Sequence, residues 1–296
     1  MTVQEALAKA RIKLQNSSQA GKPVSSTPSL DASIILSHVS GISRTQLMTH
    51  PEKDITVYED AFLSAIVKRC SGLPVAYITG VKEFWGIDFI VTPAVLIPKP
   101  DTEILVERAL EILTTKTEST KPTRILDACT GSGCVVISLA VSFKQIDCTA
   151  FDISTEALKI ARTNAEHILG SKNTIRFLHH DVRNAFPRPL GASSSSYDLI
   201  VSNPPYVPSG TALELLLDGR GEPLLALDGG LDGLKLIRPL AEHAKKALAK
   251  GGKLLIETGE YNAKAAAAYL KTLGFTDILV HTDLAGQDRV VEGVFQ

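Results

Sequence analysis

From Arg124 to the C-terminus the sequence alternates between short β-rich runs and helix-patterned runs, and few folds accept that order. The strand-like runs are "RILDAC", "DCTAFD", "IRFLHHD", "YDLIVSN" and "GGKLLIETG". Between them lie a helix from about Ser132, then "STEALKIARTNAEHIL" and "LKLIRPLAEHAKKALAK". Alternation of this kind predicts an α/β fold, an open and mostly parallel sheet covered by helices on both faces. "AKAAAAYLKTLGF" adds a last helix, and "DILVHTDLAGQDRVVEGVF" holds two strands around a turn. Two successive strands pair as a hairpin, so the expectation is a seven-stranded sheet with an antiparallel terminal hairpin.

The chain before this region reads differently. Leu7, Ile12 and Leu14 are spaced as on a helix, and "NSSQAGKPVSSTPS" is a polar loop. Asp31 opens "DASIILSHVSG", a helix closed by Gly41. "TVYEDAFLSAIVKRCSG" gives a third helix, with Tyr58, Phe62, Ile66 and Val67 on one face and Gly72 as its stop. At Pro74 the pattern changes to β-branched and aromatic residues with central glycines, "AYITGVKEFWGIDFIVTPAVLIP", a hairpin or extended linker. "PKPDTEILVERALEIL" then opens a helix, with Pro100 near its start and Asp101 and Glu103 in the first turn, and "TTKTESTKPT" is an exposed connection. The expected division is a helical domain over 1–73, a β-hairpin linker over 74–98 and an α/β domain over 99–296.

Composition narrows the class. The 296 residues are 44% apolar with a formal net charge of −1, so the chain has material for a core and no overall field drawing it onto nucleic acid. Cys70, Cys129, Cys134 and Cys148 form no CxxC pair or His/Cys ladder, which fits reduced thiols and no metal. No apolar run reaches the roughly 18 residues that span a bilayer, and "MTVQEALAKARIKLQ" lacks a signal-peptide core. The expectation is a soluble cytoplasmic protein without membrane contact.

"ILDACTGSGC" stands where the first strand of the series meets its helix, the ligand crevice of doubly wound sheets. Gly131 and Gly133 let the backbone turn sharply and a ligand approach. A dinucleotide fingerprint wants a third glycine where Val136 stands, which weakens a pyrophosphate reading. Asp152 ends the second strand, placed for ribose hydroxyls, and Asp181 ends the third, placed for an adenine amino group. Asp127 is placed to organise the loop or to reach an ammonium. A lone G-x-G reads equally well as a structural turn, and strand-terminal aspartates often serve as helix caps. In order and at βα spacing they suit S-adenosylmethionine, which carries a ribose, an adenine and an amino acid but no phosphate.

Asn203-Pro204-Pro205-Tyr206 follows the fourth strand at the same sheet edge. Proline holds itself and the residue before it extended, so this loop is stiff. It offers two acceptors, the Asn203 side-chain oxygen and the Pro204 carbonyl, with the Tyr206 ring as a flat face. A planar –NH2 conjugated to a carbonyl or ring matches those groups. Accepting both hydrogens raises electron density on nitrogen as a methyl group approaches, and these contacts strengthen as charge develops. The tetrapeptide reads as a clamp for an amide or amino nitrogen.

Clamps of this kind serve adenine amino groups and glutamine side chains alike. The segments "GLPVAYITGVKEFWGIDFIVTPAVLIPKPDTEILVERAL", "ILDACTGSGCVVISLA", "SNPPYVPSG", "EPLLALDGGLDGLKLIRPL" and "DLAGQDRVV" resemble the HemK-type release factor glutamine methyltransferases. The resemblance runs from about residue 60 to the end. It implies a class I, Rossmann-like methyltransferase domain that uses S-adenosylmethionine. Its substrate would be the Gly-Gly-Gln glutamine of bacterial class I peptide chain release factors, gripped elsewhere by the N-terminal helices. Carried over by position, Cys129, Thr130, Gly131, Ser132 and Gly133 form the cofactor loop, Asp152 meets the ribose, Asp181 and Val182 flank the adenine, and Asn203 to Tyr206 hold the glutamine. Cys129 stands where the family commonly has glycine, Lys99 where it has arginine, and Val182 where some members have an aromatic. The stretch from Val207 to Glu222 is shorter than the family pattern.

Other readings fit less of the chain. A sister enzyme acting on a ribosomal-protein glutamine shares "CTGSGC" and "NPPYV" but not the linker. A nucleic acid adenine methyltransferase wants a basic aromatic surface, for which Lys245, Lys246, Lys250 and Lys253 offer only a solvated helix face. Val136 argues against a nicotinamide oxidoreductase, and the intact clamp against a non-catalytic binding module. His179 and His180 point to opposite faces of a strand and do not share a metal ion. Arg289 is either a functional contact or the partner of Asp288 or Asp283.

Overall fold

The computed structural model describes residues 1–115, 121–189, 196–217 and 221–296. Half of "TTKTESTKPT" and part of the stretch before Glu222 lie outside the described residues. The chain divides into two compact units, Met1–Val81 with Leu213–Glu222, and Lys82–Ala212 with Pro223–Gln296.

The first unit is helical: α1 (Val3–Gln15), α2 (Pro28–Ser40), α3 (Arg44–Thr49), α4 (Glu59–Cys70) and α5 (Val75–Thr79), with the two-residue strands β1 (Ser18–Gln19) and β2 (Lys22–Pro23) between α1 and α2. Thr2 and Ser43 close capping boxes with Glu5 and Gln46. Val3, Ala6, Ala10 and Leu14 form the buried face of α1, whereas Ile12 of the expected stripe is exposed and Leu7 packs at the edge. On α4 Phe62 and Ile66 are buried but Val67 is 52% exposed, because a residue five after Phe62 has rotated off its face. Helix α2 starts at Pro28 rather than Asp31, since proline suits the first helical turn. Asp31 is instead buried and paired with Arg69 at 2.8 Å, while Arg69 also donates to the carbonyls of Val24, Gly72 and Leu73. Helix α5 occupies part of the segment read as extended.

The second unit holds the hairpin strands β3 (Val81–Phe84, reaching back one residue) and β4 (Ile87–Ile90), then α6 (Glu103–Thr114), β5 (Thr123–Ala128), α7 (Cys134–Ser142), β6 (Ile146–Asp152), α8 (Thr155–Leu169), β7 (Arg176–His179) and β8 (Tyr197–Ser202). It continues with α9 (Ser209–Leu217, whose end belongs to the first unit), α10 (Ile237–Ala247), β9 (Leu248–Glu257), α11 (Ala263–Thr272), β10 (Thr276–Thr282) and β11 (Asp288–Val294). The main sheet has seven strands in the order β10-β11-β9-β8-β5-β6-β7. β7, β6, β5, β8 and β9 run parallel, and β11 lies antiparallel between β9 and β10. The antiparallel strand is thus one in from the edge. Strand β9 begins at Leu248, within the run read as the end of the preceding helix.

Alternate residues of each strand feed opposite layers. Ile125, Leu199, Val201, Leu255 and Val290 pack with α6, α7 and α8, while Leu126, Ile200, Leu254, Ile256 and Val291 pack with α10 and α11. Crossover connections leave the carboxyl ends of β5, β6, β7, β8 and β9 together at one edge, where the loops of interest lie.

Candidate active site

A cavity of about 430 Å³ opens at that edge. Asp127, Cys129, Thr130, Gly131, Ser132, Asp152, Asp181, Val182, Asn203 and Pro205 of the sequence-derived set line it. Gly133, Pro204 and Tyr206 are not part of its lining. Gly133 caps α7 at φ 80°, and a β-carbon there would sit 2.9 Å from Ile137 and 3.3 Å from Ala161, so the loop and α8 need glycine to pack this closely. Helix α7 accordingly starts at Cys134, two residues later than expected. Buried Asn164 on α8 donates to the Ser132 and Ile90 carbonyls and accepts from the Ile90 N–H, tying the loop to the end of β4.

Among the described residues four aspartates line the cavity, Asp228 and the three expected from sequence, and each of those three is differently tuned. Burial pushes Asp127 up to about 7, although the Thr130 hydroxyl donates to it at 2.6 Å. Burial also raises Asp152, against donation from the Gly131 and Ser154 N–H groups, both at 2.9 Å. The Arg183 guanidinium, within 2.5 to 3.0 Å, holds Asp181 below the usual range. Lys99, Arg183 and Lys235 line the same cavity, so its wall carries both signs of charge. Asp152 and Asp181 keep lone pairs for further donors. His180 was missed as a binding candidate: its Nε2 is buried with no hydrogen-bond partner, and its ring meets the Phe151 edge at 5.1 Å. Cys129 adopts φ 61°, the left-handed region that glycine fills without strain. Burial and the neighbouring Asp152 and Asp127 carboxylates push its thiol well up.

Residues 203–206 are held by several elements. The Ser202 hydroxyl donates to the Ala128 carbonyl at 2.7 Å, joining the ends of β8 and β5. The Asn203 amide nitrogen donates to the Thr102 hydroxyl at 3.2 Å, so its oxygen is the end left to accept. Tyr206 donates its hydroxyl to Glu257 at 3.2 Å, and its carbonyl accepts from Asn262 at 3.0 Å and from Tyr261 at 3.4 Å. "DGGLDG" wraps the tyrosine: β-carbons at Gly229 would lie 2.7 Å from its backbone, and one at Gly233 would strike its carbonyl oxygen. Thr102, Glu257, Asn262 and these glycines carried no local signal for this role. Arg289 pairs with Asp283 at 2.8 Å and Asp101 at 3.2 Å, not with Asp288.

Comparison with known proteins agrees with this geometry. Residues 5–80 match the PrmC N-terminal domain and residues 103–217 the methyltransferase small domain. The catalytic domain of hMettl16, solved with MAT2A 3'UTR hairpin 6, superposes with a TM-score of 0.56 over 77% of this chain and 82% of that one, at 14% identity, a likeness of fold. Sheet, loop and family models together define a class I methyltransferase of the S-adenosylmethionine-dependent kind. The release factor glutamine methyltransferase of Coxiella burnetii is 39% identical over 94% of this chain and 95% of its own. Those of Salmonella typhimurium and Escherichia coli are each 36% identical, covering 92% and 91% of this chain and 94% and 93% of theirs. The chain belongs to the release factor glutamine methyltransferase family.

Proposed function

We propose that this protein transfers a methyl group to the side-chain amide nitrogen of the Gly-Gly-Gln glutamine in bacterial class I release factors, in the cytoplasm and without binding nucleic acid directly. The single observation that carries the reading is the Asn203 amide, held with its nitrogen on Thr102 and its oxygen free at the cavity where the methyl donor fits. S-adenosylmethionine supplies an electrophilic methyl group on a cationic sulfur. Asp152 would accept from the ribose, Asp181, Val182 and His180 would border the adenine, and Asp127 would meet the ammonium. Asn203 and the Pro204 carbonyl accept the two amide hydrogens and hold the nitrogen in line, a proximity and electrostatic contribution together. The nitrogen would gain the methyl as the S–CH3 bond breaks, leaving neutral S-adenosylhomocysteine, and then release one proton to solvent; once methylated it is acidic, so no base is needed beforehand. Among the described residues no helix is long and apolar enough to cross a membrane. The N-terminal helices over 1–73 would grip the release factor away from its reactive loop.

The deciding experiment uses labelled S-adenosylmethionine and a class I release factor, beside the same factor with its Gly-Gly-Gln glutamine changed to alanine. Label that depends on that glutamine is expected. Equal labelling of both factors, or none with the donor bound, rejects the substrate.

Asp127 also predicts a pH dependence for donor binding. Its free carboxyl is half charged near pH 7, and only the charged form attracts an ammonium. Donor affinity should therefore tighten about tenfold from pH 6 to pH 8, with proton release on binding falling from about 0.9 to about 0.1 over that range, and flatten in Asp127→Asn. Calorimetry in buffers of differing ionisation heat measures both; a wild-type affinity that does not change with pH would refute the assignment.

A further inference from the structure

We propose that Glu257 is a positioning residue of the transfer reaction, fixing through Thr102 and Tyr206 which end of the Asn203 amide faces the substrate. The proposal rests on the reading of residues 203–206 as an amide clamp. Glu257 ends β9 beside the carboxyl end of β8 and is 1% exposed. Only one of its oxygens is matched: Oε1 accepts from Tyr206 at 3.2 Å, and buried Oε2 has no hydrogen-bond partner. A carboxylate is a costly residue in such a place unless its acceptor character is used.

Thr102 supplies that use. Its hydroxyl oxygen accepts from the Asn203 amide nitrogen, so its single proton must point elsewhere. Among the neighbours of Glu257, the Thr102 hydroxyl is the one that most favours its charged form, ahead of Tyr206 and Arg289, all working against burial. The structure forms no Thr102–Glu257 hydrogen bond, so the proposed chain turns this proton to the unmatched Oε2: amide N–H to hydroxyl, hydroxyl to carboxylate. An ionised carboxylate only accepts, so it fixes that direction. A glutamine amide at 257 can donate to Thr102 instead. The hydroxyl would then turn its proton on Asn203, whose amide would flip and present N–H groups to a substrate that also brings N–H groups.

The groups facing Glu257 come from four elements. Tyr206 follows β8, Arg289 lies on β11, Asp101 precedes Thr102, and the Cys134 thiol at the start of α7 feels its charge. Arg289 is shared with Asp283 and Asp101 and does not neutralise Glu257 alone. Burial pushes the Glu257 carboxyl up to about 7, so the polarity of the clamp changes across neutral pH, with the working arrangement on the alkaline side.

The test follows the side-chain NH2 resonances of Asn203 in the full-length 15N-labelled protein, assigned by their loss in Asn203→Ala. In the wild type they should move with pH with a midpoint near 7, and in Glu257→Gln they should stay flat. With release factor as substrate, Glu257→Gln should lose roughly 10- to 100-fold in kcat at pH 8, with KM within about threefold, and lose the rise of kcat through neutrality. Thr102→Val should lose a similar factor, the double variant no more than the larger single loss, and Thr102→Ser should recover most of it. An Asn203 resonance that still titrates in Glu257→Gln, or a kcat within about twofold of wild type, overturns the proposal. Should Glu257→Gln fail to fold, Thr102→Val decides: a wild-type Asn203 titration in that variant equally overturns it. A wild type that labels no release factor defeats the substrate reading, while the titration still judges Glu257.

Discussion

Asn203→Ala is expected to lower kcat/KM for the release factor by about 100- to 1,000-fold, the loss typical when one preorganised polar group aimed at developing charge is removed. The loss should fall mainly on kcat. The amide hydrogens of the substrate become more acidic as the nitrogen acquires the methyl group, so the missing acceptor counts for more in the transition state than in the ground state. Asn203 also lines the cavity, so donor affinity should weaken, by less than about tenfold, because the three aspartates and the loop remain. Asn203→Asp separates acceptor from polarity. An aspartate keeps two accepting oxygens but cannot donate to Thr102, whose proton would turn toward it. Its activity should lie between wild type and alanine. Single-turnover rates at saturating donor measure this directly, and an alanine variant within about fivefold of wild type would remove Asn203 from the chemistry.

How much of this could be read from sequence depends on how local each signal is. The sheet was legible because strand–helix alternation and period-two burial are short-range patterns; Ile125 and Leu126 already belong to opposite layers. The cavity wall was legible because its loops follow strand ends in order, which places Asp127, Asp152, Asp181 and Asn203 together without knowledge of any contact. Helices α3, α5 and α9 were not legible: each is short, and their turns take their stability from packing rather than from periodicity. Val67 and Ile12 show the opposite failure, apolar residues assigned to a face that the helix turn carries into solvent. The supports of the clamp were hidden for another reason. Thr102 lies 101 residues before Asn203 and Glu257 lies 51 after Tyr206, and a hydrogen bond at such separation leaves no spacing to read.

Gly233→Ala should therefore inactivate the enzyme although residue 233 does not line the cavity. Gly233 adopts φ 73°, where an alanine is strained by about 1 to 2 kcal/mol. Its β-carbon would also fall inside van der Waals contact of the Tyr206 carbonyl oxygen and of the Asn262 amide nitrogen. These two atoms are bonded to each other at 3.0 Å, so the intruding methyl group must part them or push both. Neither can yield freely. Asn262 is held at its other end by the Gly259 N–H at 2.9 Å, and Tyr206 is held by its hydroxyl on Glu257 and by the Val207–Leu227 and Gly229–Val207 backbone bonds. The strain moves the clamp, and a displacement near 1 Å at a reacting group costs about 100-fold in rate. Overpacking of about 1 to 3 kcal/mol should also lower the melting temperature by several degrees. Donor affinity should change by less than about threefold, since Asp127, Asp152 and Asp181 stand on other strands. A variant with intact donor binding and a rate about 100-fold down would show that "DGGLDG" exists to let the loop close on the tyrosine backbone. A rate within about threefold of wild type would show that the loop and tyrosine move together without disturbing Asn203, and that the clamp is set from the Thr102 side alone.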